Sequence, residues 1–553
     1  MAVCLACAAI ALGLGLVLAL VTAPAHGRAG QSRPHPTASS PNPPRGRVTR
    51  LPGRHRPRPA PGRRPAPGRR PALARAVASI VTTGNAITVP TSFFGLSTEY
   101  WAMPRYERHM PIFNRVLSLV RVPGEGPLIL RVGGDSADHT YWDPSGRRLP
   151  PHAFRLTPGW LRRAAAVVGN LNLRLILDLN LAADSPSMAA QSARAALTDL
   201  PQGSVVGFEI GNEPDLYGRA PRASSVRRRH RRVHRRVVSG PYTATDYVDA
   251  FRAYARELGT VAPAVPLLGP SVANPAVDLS WVARVISGDR HLLGALSAHR
   301  YPLSACVDPG SPLYPTISRL LSEFASAGMA RTVMPAVRLA HQAGLPFRLT
   351  ELNSVTCGGL RGVSNSFATA LWAPDALFEL LRAGVDAVNV HIRADAVNAP
   401  FALGNSGLKA RPLLYGLLLF ARTLGPDAHV LAVHMRAART LQLKIWAVKL
   451  AGGVLHVLLI DKGPRSASVE LRLPATAPAT VERLLAPSVT ATSGVTLAGQ
   501  SLGRDGRWHG HLKATTLTPD RGGGYALTIP GFSAALVSVS VSPLAPAQPE
   551  RQD

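Results

Sequence analysis

Acidic residues are scarce in this 553-residue chain, where 32 Asp and Glu stand against 62 Lys and Arg for a formal net charge of +30 at pH 7. The deficit is local. Residues 28–75 hold thirteen arginines and no acid, and residues 219–236 hold nine more without one, so two stretches carry twenty-two of the thirty charges. No nucleic-acid-binding motif accompanies them, which argues against a specific nucleic-acid partner. A solvated basic tract is one reading of each stretch, and electrostatic contact with anionic cell-envelope polymers or an acidic substrate is the other. Cysteine is nearly absent too. Cys4 and Cys7 fall in the first apolar run and only Cys306 and Cys357 in the body. Two isolated cysteines do not make a zinc site, so no metal and no cofactor is expected. An exported chain would keep them as an even pair, and closing that 51-residue loop would stabilise the fold by about 4 kcal/mol if the geometry permits a disulfide.

A long apolar run occurs at Ala2–Ala23, and Ala23-Pro24-Ala25 before His26-Gly27 has the small residues of a cleavage site. No Lys or Arg precedes that run and an arginine-rich flank follows it, the reverse of the usual charge bias. Export to the surface or medium is the preferred expectation, with the segment retained as a membrane anchor, or a start upstream of Met1, as alternatives. Residues 28–75, with repeats such as Arg56-Pro57-Arg58-Pro59, have too few apolar side chains to fold and read as an extended linker. The 219–240 stretch reads as a basic surface insertion.

From Val89 onward, short apolar runs alternate with amphipathic stretches, the spacing of repeated strand–helix units. Eight strands are expected near 93–97, 128–132, 173–179, 205–210, 266–269, 295–299, 347–350 and 387–391, with helices at 158–171, 245–261, 314–343 and 366–383. The fold class is α/β: a closed (β/α)8 barrel over 91–410, with an open doubly wound sheet as the alternative that periodicity does not exclude. After a last helix near 413–424 the texture changes to short alternating strands, giving an antiparallel β-sandwich over 411–545 and a disordered tail over 546–553.

Two of the apolar runs end in glutamate, at Gly211-Asn212-Glu213-Pro214 and Thr350-Glu351-Leu352-Asn353. By strand count these are the tips of strands four and seven, and a barrel's C-terminal rim is where active sites are built. A lone Glu-Pro after a strand also suits a plain helix start. A pair at facing positions suits retaining glycoside hydrolysis, which needs one protonated and one ionised carboxyl group about 5 to 5.5 Å apart.

These motifs, with Leu130-Arg131-Val132-Gly133-Gly134-Asp135-Ser136, His299-Arg300-Tyr301-Pro302, Cys357-Gly358-Gly359 and Asn389-Val390-His391, resemble bacterial members of glycoside hydrolase family 79, a family of β-glucuronidases and heparanases. The resemblance covers roughly residues 76–545 and implies that 76–90 adds strands to the sandwich. It implies Glu213 as general acid/base, Glu351 as nucleophile, Asn212 beside the sugar 2-hydroxyl and Tyr301 against the nucleophile. It further implies that the Gly358-Gly359 turn holds a uronate carboxylate through backbone N–H groups, with a Cys306–Cys357 disulfide rigidifying that turn. Family glucuronidases also carry tyrosines near the carboxylate, where this chain has Val355-Thr356 and Phe401. Arg300 either takes their place or is a structural arginine of the rim. Glu99, Asp135, His139, His299 and Asn353 follow expected strands and are candidates for the sugar pocket, with Trp101 and Trp142 as stacking surfaces and Trp372 as core.

The expected function is a retaining glycoside hydrolase of β-glucuronidase type acting on a carbohydrate substrate. The alternatives are a β-glycosidase of other specificity, an endo-acting enzyme on a polyanionic glycan, or a non-catalytic basic envelope protein.

Overall fold

The computed structural model describes residues 73–81, 84–218 and 242–541. The expected leader 1–27, nearly all of the linker 28–75, the insertion 219–240 and the tail 546–553 lie outside them. Among the described residues no helix is long and apolar enough to cross a membrane.

Eight parallel strands close into a barrel: Phe94–Glu99, Ile129–Gly133, Arg174–Leu179, Val205–Ile210, Leu267–Val272, Leu293–Arg300, Phe347–Leu352 and Ala387–His391. Each pairs with its neighbours in chain order and the eighth pairs with the first, Val388 opposite Phe94. The closed barrel is therefore as the sequence pattern indicates. Strands seven and eight are buried along nearly their whole length, which is why they read as continuous apolar runs. Their side chains alternate in and out. Ile129, Ile176, Leu268 and Ala295 form a small apolar cluster of their own, and two residues further along strands two and three, on the same face, come Arg131 and Asp178.

Helix starts follow local chemistry. Thr157 accepts from Trp160 N at 3.2 Å ahead of Pro158–Leu171, and Thr243 with Asp246 forms a capping box ahead of Ala244–Val261. The single stretch expected over 314–343 is two helices, Ile317–Leu321 and Ala327–Gln342, because Ser322 and Ser326 leave helical geometry between them.

The last barrel helix, Pro412–Thr423, packs on Ala368–Arg382 so closely that a Cβ on Gly416 would lie 2.5 Å from Ala370 O. It belongs with the barrel, and the β layers begin at His429 rather than at 411. Ala74 and Arg75, counted with the linker, already lie in a strand, Ala74–Val81. That strand runs parallel to Ala467–Arg472 and antiparallel to the outer half of His429–Ala437, so the sandwich is antiparallel except for one pair. Residues His429–Leu431 pair with Ala447–Lys449, and Ala432–Ala437 with Ala76–Val81. One strand thus passes from one layer to the other. Ala76, Ala78, Leu455, Val457, Val469, Leu471, Val537 and Ile529 meet in the core between layers.

Candidate active site

Strand four delivers Glu213 through a sharp exit. Gly211 has φ +81° and Glu213 itself lies in the left-handed region at φ +49°, a conformation costing a side-chain-bearing residue on the order of 1 kcal/mol. Glu213 N donates to Ser271 O at 3.1 Å, and Leu216 N donates to Glu213 O at 2.9 Å. Those bonds hold the strained residue over the mouth. Strand seven places Glu351 opposite, and one carboxylate oxygen of each glutamate and a ring nitrogen of His299 lie within 4.8 Å of one another.

The two carboxyl groups sit in opposed environments. Glu351 accepts from Tyr301 Oη at 2.7 Å and from Arg131 Nη1 at 2.9 Å, with His391 Nδ1 at 3.5 Å. Burial alone would raise its pKa, but the positive field of His391 and Arg131 and the Tyr301 bond outweigh it and hold the group down at about 2. Among the described residues Glu213 has one close polar partner, His299 Nδ1 at 3.0 Å. There burial, aided by the charge of Glu351, prevails over the His299 bond and raises the pKa. A pair of carboxyls pushed apart in this way divides into an acid and an anion. The same cluster could seat a cation by spacing alone, but the Arg131 guanidinium against Glu351 opposes one.

Arg131 organises the floor. Its Nε donates to Glu209 Oε2 at 2.7 Å and its Nη2 to Asp178 Oδ2 at 2.8 Å and Asn212 Oδ1 at 2.9 Å. Its Nη1 serves Glu351 and, at 3.5 Å, Ser97 Oγ. All five N–H donors are engaged in a fully buried fork. Gly133 is required beside it, since a Cβ there would stand 2.6 Å from Asp178 Cβ and 2.8 Å from Arg131 Cζ. One guanidinium cannot balance three carboxylates. Burial drives Asp178 well above its usual range despite the Arg131 charge, while for Glu209 the pull of Arg131 overcomes burial and lowers the pKa.

The remaining expected residues divide. Asn212, Tyr301 and His299 join the cluster. Glu99 forms its far wall, accepting from Ser136 N at 2.9 Å and standing 3.6 Å from both His391 Nε2 and Arg393 Nε. Asp135 is exposed on the rim and accepts from Arg393 Nη1 at 2.6 Å. Asn353 is not a pocket residue: its Nδ2 donates to His391 O and Asn398 O, and its Oδ1 accepts from Ser354 N. Its amide pins the loop after strand eight to strand seven. Gly359 N is likewise spent on Thr356 O at 3.1 Å, so it is not a free donor for a carboxylate. Gly358 and Gly359, at φ +77° and +89°, shape the turn, and the Cys306–Cys357 disulfide closes beside them. Arg300 is structural, its Nε donating to Thr332 Oγ1 at 3.1 Å and its Nη1 to Tyr301 O. Trp101 is half-buried under Arg105, Trp372 is core, and His139 is exposed. Trp142 borders a groove of about 650 Å3 along the outside of helix Pro186–Asp199, whose lining includes none of the cluster residues.

Sequence reasoning missed Arg131, Asp178, Glu209, His391 and Arg393 as site residues. The signal for the first three was present. Each is a charge inside a buried apolar strand, on strands two, three and four in turn, where a charge without a partner is prohibitively costly.

A closed parallel barrel with a cluster of opposed carboxylates at its C-terminal mouth and a β-sandwich at its side is an architecture that this chain shares with barrel glycoside hydrolases. Residues 446–536 match the glycosyl hydrolase family 79 C-terminal beta domain. The chain is 26% identical over 328 residues to a β-glucuronidase of Aspergillus niger, an alignment spanning 54% of this chain and 58% of that protein. It is 22% identical over 406 residues to a β-glucuronidase of Neurospora crassa, spanning 64% and 68%. In fold it matches the 4-O-α-L-rhamnosyl-β-D-glucuronidase of Fusarium oxysporum with a TM-score of 0.68 at 17% identity, covering 84% of this chain and 100% of that one. A family 51 arabinofuranosidase from Xanthomonas axonopodis matches with a TM-score of 0.62 at 15% identity, covering 84% and 99%. The family 79 likeness thus rests on the C-terminal β domain and on two β-glucuronidase relatives, the first of which is matched over 58% of its length.

Proposed function

We propose that this protein hydrolyses β-glucuronides with retention of configuration. Glu351 attacks the anomeric carbon as Glu213 passes its proton to the glycosidic oxygen and the alcohol leaves. Glu213, now ionised, takes a proton from water, whose oxygen attacks the same carbon and releases Glu351. The observation that carries the reading is the opposed tuning of the two carboxyls within 4.8 Å of each other. The β-glucuronidase relatives support the substrate class. Tyr301 stays a phenol, because burial and the Glu351 charge both raise its pKa, and so it keeps donating to the nucleophile. The disulfide supports an exported or surface location, where oxidising conditions preserve it.

Glu213→Gln and Glu351→Gln should each lower turnover of an aryl β-glucuronide, the former by about 10²- to 10⁴-fold, without altering the unfolding midpoint. Azide should restore Glu213→Ala by replacing the water that the carboxylate activates, giving a β-glycosyl azide. Full activity in both Gln variants, or an azide product of inverted configuration, would sink the assignment.

A further inference from the structure

A uronate differs from a neutral sugar by one anionic group, so its recognition calls for a donor set that is free to meet it. The positions where family tyrosines were expected offer none: Thr356 Oγ1 donates to Ser304 Oγ at 2.8 Å and Phe401 is packed near Phe113. Among the nearby cations, Arg131 has no N–H left and Arg300 is bound to Thr332 and to the backbone. Arg393, two residues beyond strand eight, is different. Its side chain is 39% exposed, and Asp135, itself 67% exposed, is the one residue to which it donates a hydrogen bond among those described.

Its position follows from the roles of the two glutamates. The leaving oxygen must lie at Glu213, just beyond strand four, so the sugar ring extends from the anomeric carbon across the mouth toward strands eight and one. On that side a continuous series of contacts runs from Glu351 to His391 at 3.5 Å, from His391 to Glu99 at 3.6 Å and from Glu99 to Arg393 at 3.6 Å. One imidazole and one carboxylate oxygen, Glu99 Oε1, link the nucleophile to Arg393.

We propose that Arg393 receives the carboxylate of the bound uronosyl residue, with Asp135 holding the guanidinium in the unliganded protein. This rests on the glucuronide reading above. Replacing one carboxylate by another keeps the guanidinium compensated throughout, avoiding the penalty of an unpaired charge, and its planar fork suits bidentate binding. A neutral sugar brings no anion to displace Asp135, so the exchange discriminates by charge.

The test compares kcat and KM for 4-nitrophenyl β-glucuronide and β-glucoside in the full chain, in Arg393→Met and in Arg393→Lys, with unfolding midpoints as the folding control. Arg393→Met should raise KM for the glucuronide about 10- to 100-fold, with a smaller fall in kcat, and Arg393→Lys should recover part of the loss. A wild type that prefers the glucuronide and keeps its KM in Arg393→Met overturns the role of Arg393 alone. A wild type that prefers the glucoside overturns the glucuronide reading and this proposal together.

Discussion

His299 moderates how strongly Glu213 holds its proton. Its Nδ1 lies 3.0 Å from Glu213 Oε1, and that bond favours the ionised carboxylate against the burial that raises its pKa. In the proposed reaction bond cleavage needs Glu213 protonated, so activity should decline as pH rises through the pKa of Glu213, while the opposite limb should lie far below, near the value of about 2 for Glu351. Removing the bond in His299→Phe should raise the Glu213 pKa further and move the alkaline limb of kcat/KM to higher pH. An alkyl glucuronide, whose departure depends on the proton, is the substrate to use, and an unmoved limb would make His299 a packing residue only. Glu213 and Glu351 themselves stood out in the sequence because each ended an apolar run. Asn353 did too, yet its amide is consumed by backbone partners, and no spacing rule distinguishes a rim residue that faces the cleft from one that ties loops together. Arg393 was silent for the complementary reason: it lies beyond the strand, where side-chain direction depends on the loop.

At the scale of elements, the barrel was legible because its strands are buried on both faces and several of its helices carry caps, so pattern and packing agree. The sandwich was read in part. Val454–Asp461 and Ser533–Ser540 alternate strongly, whereas the outer half of His429–Ala437 is mostly exposed and offered no alternation. Ala479–Leu485 places Glu482 and Arg483 side by side in the chain, breaking the pattern, although it pairs along most of its length with Ser533–Ser540. Loops gain their order from cross-links that a linear reading cannot supply. The disulfide joins the loops after strands six and seven, and Gly358 O accepts from Val397 N at 2.8 Å and Asn398 N at 3.2 Å, adding the loop after strand eight. Replacing Cys306 and Cys357 together by Ser should cost about 2 to 4 kcal/mol of stability and raise KM more than it lowers kcat, since the loosened loops line the mouth while Glu351 on strand seven and Glu213, bonded through its N–H to Ser271 O, stay in place. Denaturant melts and steady-state kinetics check both, and an unchanged KM would mean that the three loops are ordered without the bond.

For the whole molecule, the question is what fastens the sandwich to the barrel. Lys462, at the end of strand Val454–Asp461, is buried and bonded to Asp375 on helix Ala368–Arg382, and its Nζ also donates to Ser326 Oγ at 3.2 Å. Trp446 Nε1 donates to the other Asp375 oxygen at 3.1 Å, while its ring stacks on Phe378 at 5.1 Å and carries Arg382 over its face. Lys444 adds bonds to Glu323 and Glu379 at 2.7 and 2.9 Å. Charges buried at this depth stabilise only while paired, and the field of Lys462 and Lys444 is what holds the Asp375 pKa down against its burial. Lys462→Met would leave a buried carboxylate uncompensated and should cost about 3 to 5 kcal/mol, whereas Lys462→Met with Asp375→Leu should recover most of it, because an apolar pair of similar volume needs no desolvation. The same comparison reports on cooperativity. If the ion pair is what couples the domains, the single variant should split the urea transition into separate barrel and sandwich steps and the double variant should rejoin them. A single variant no less stable than a surface control such as Lys409→Ala would show that apolar contacts alone hold the two layers of the molecule together.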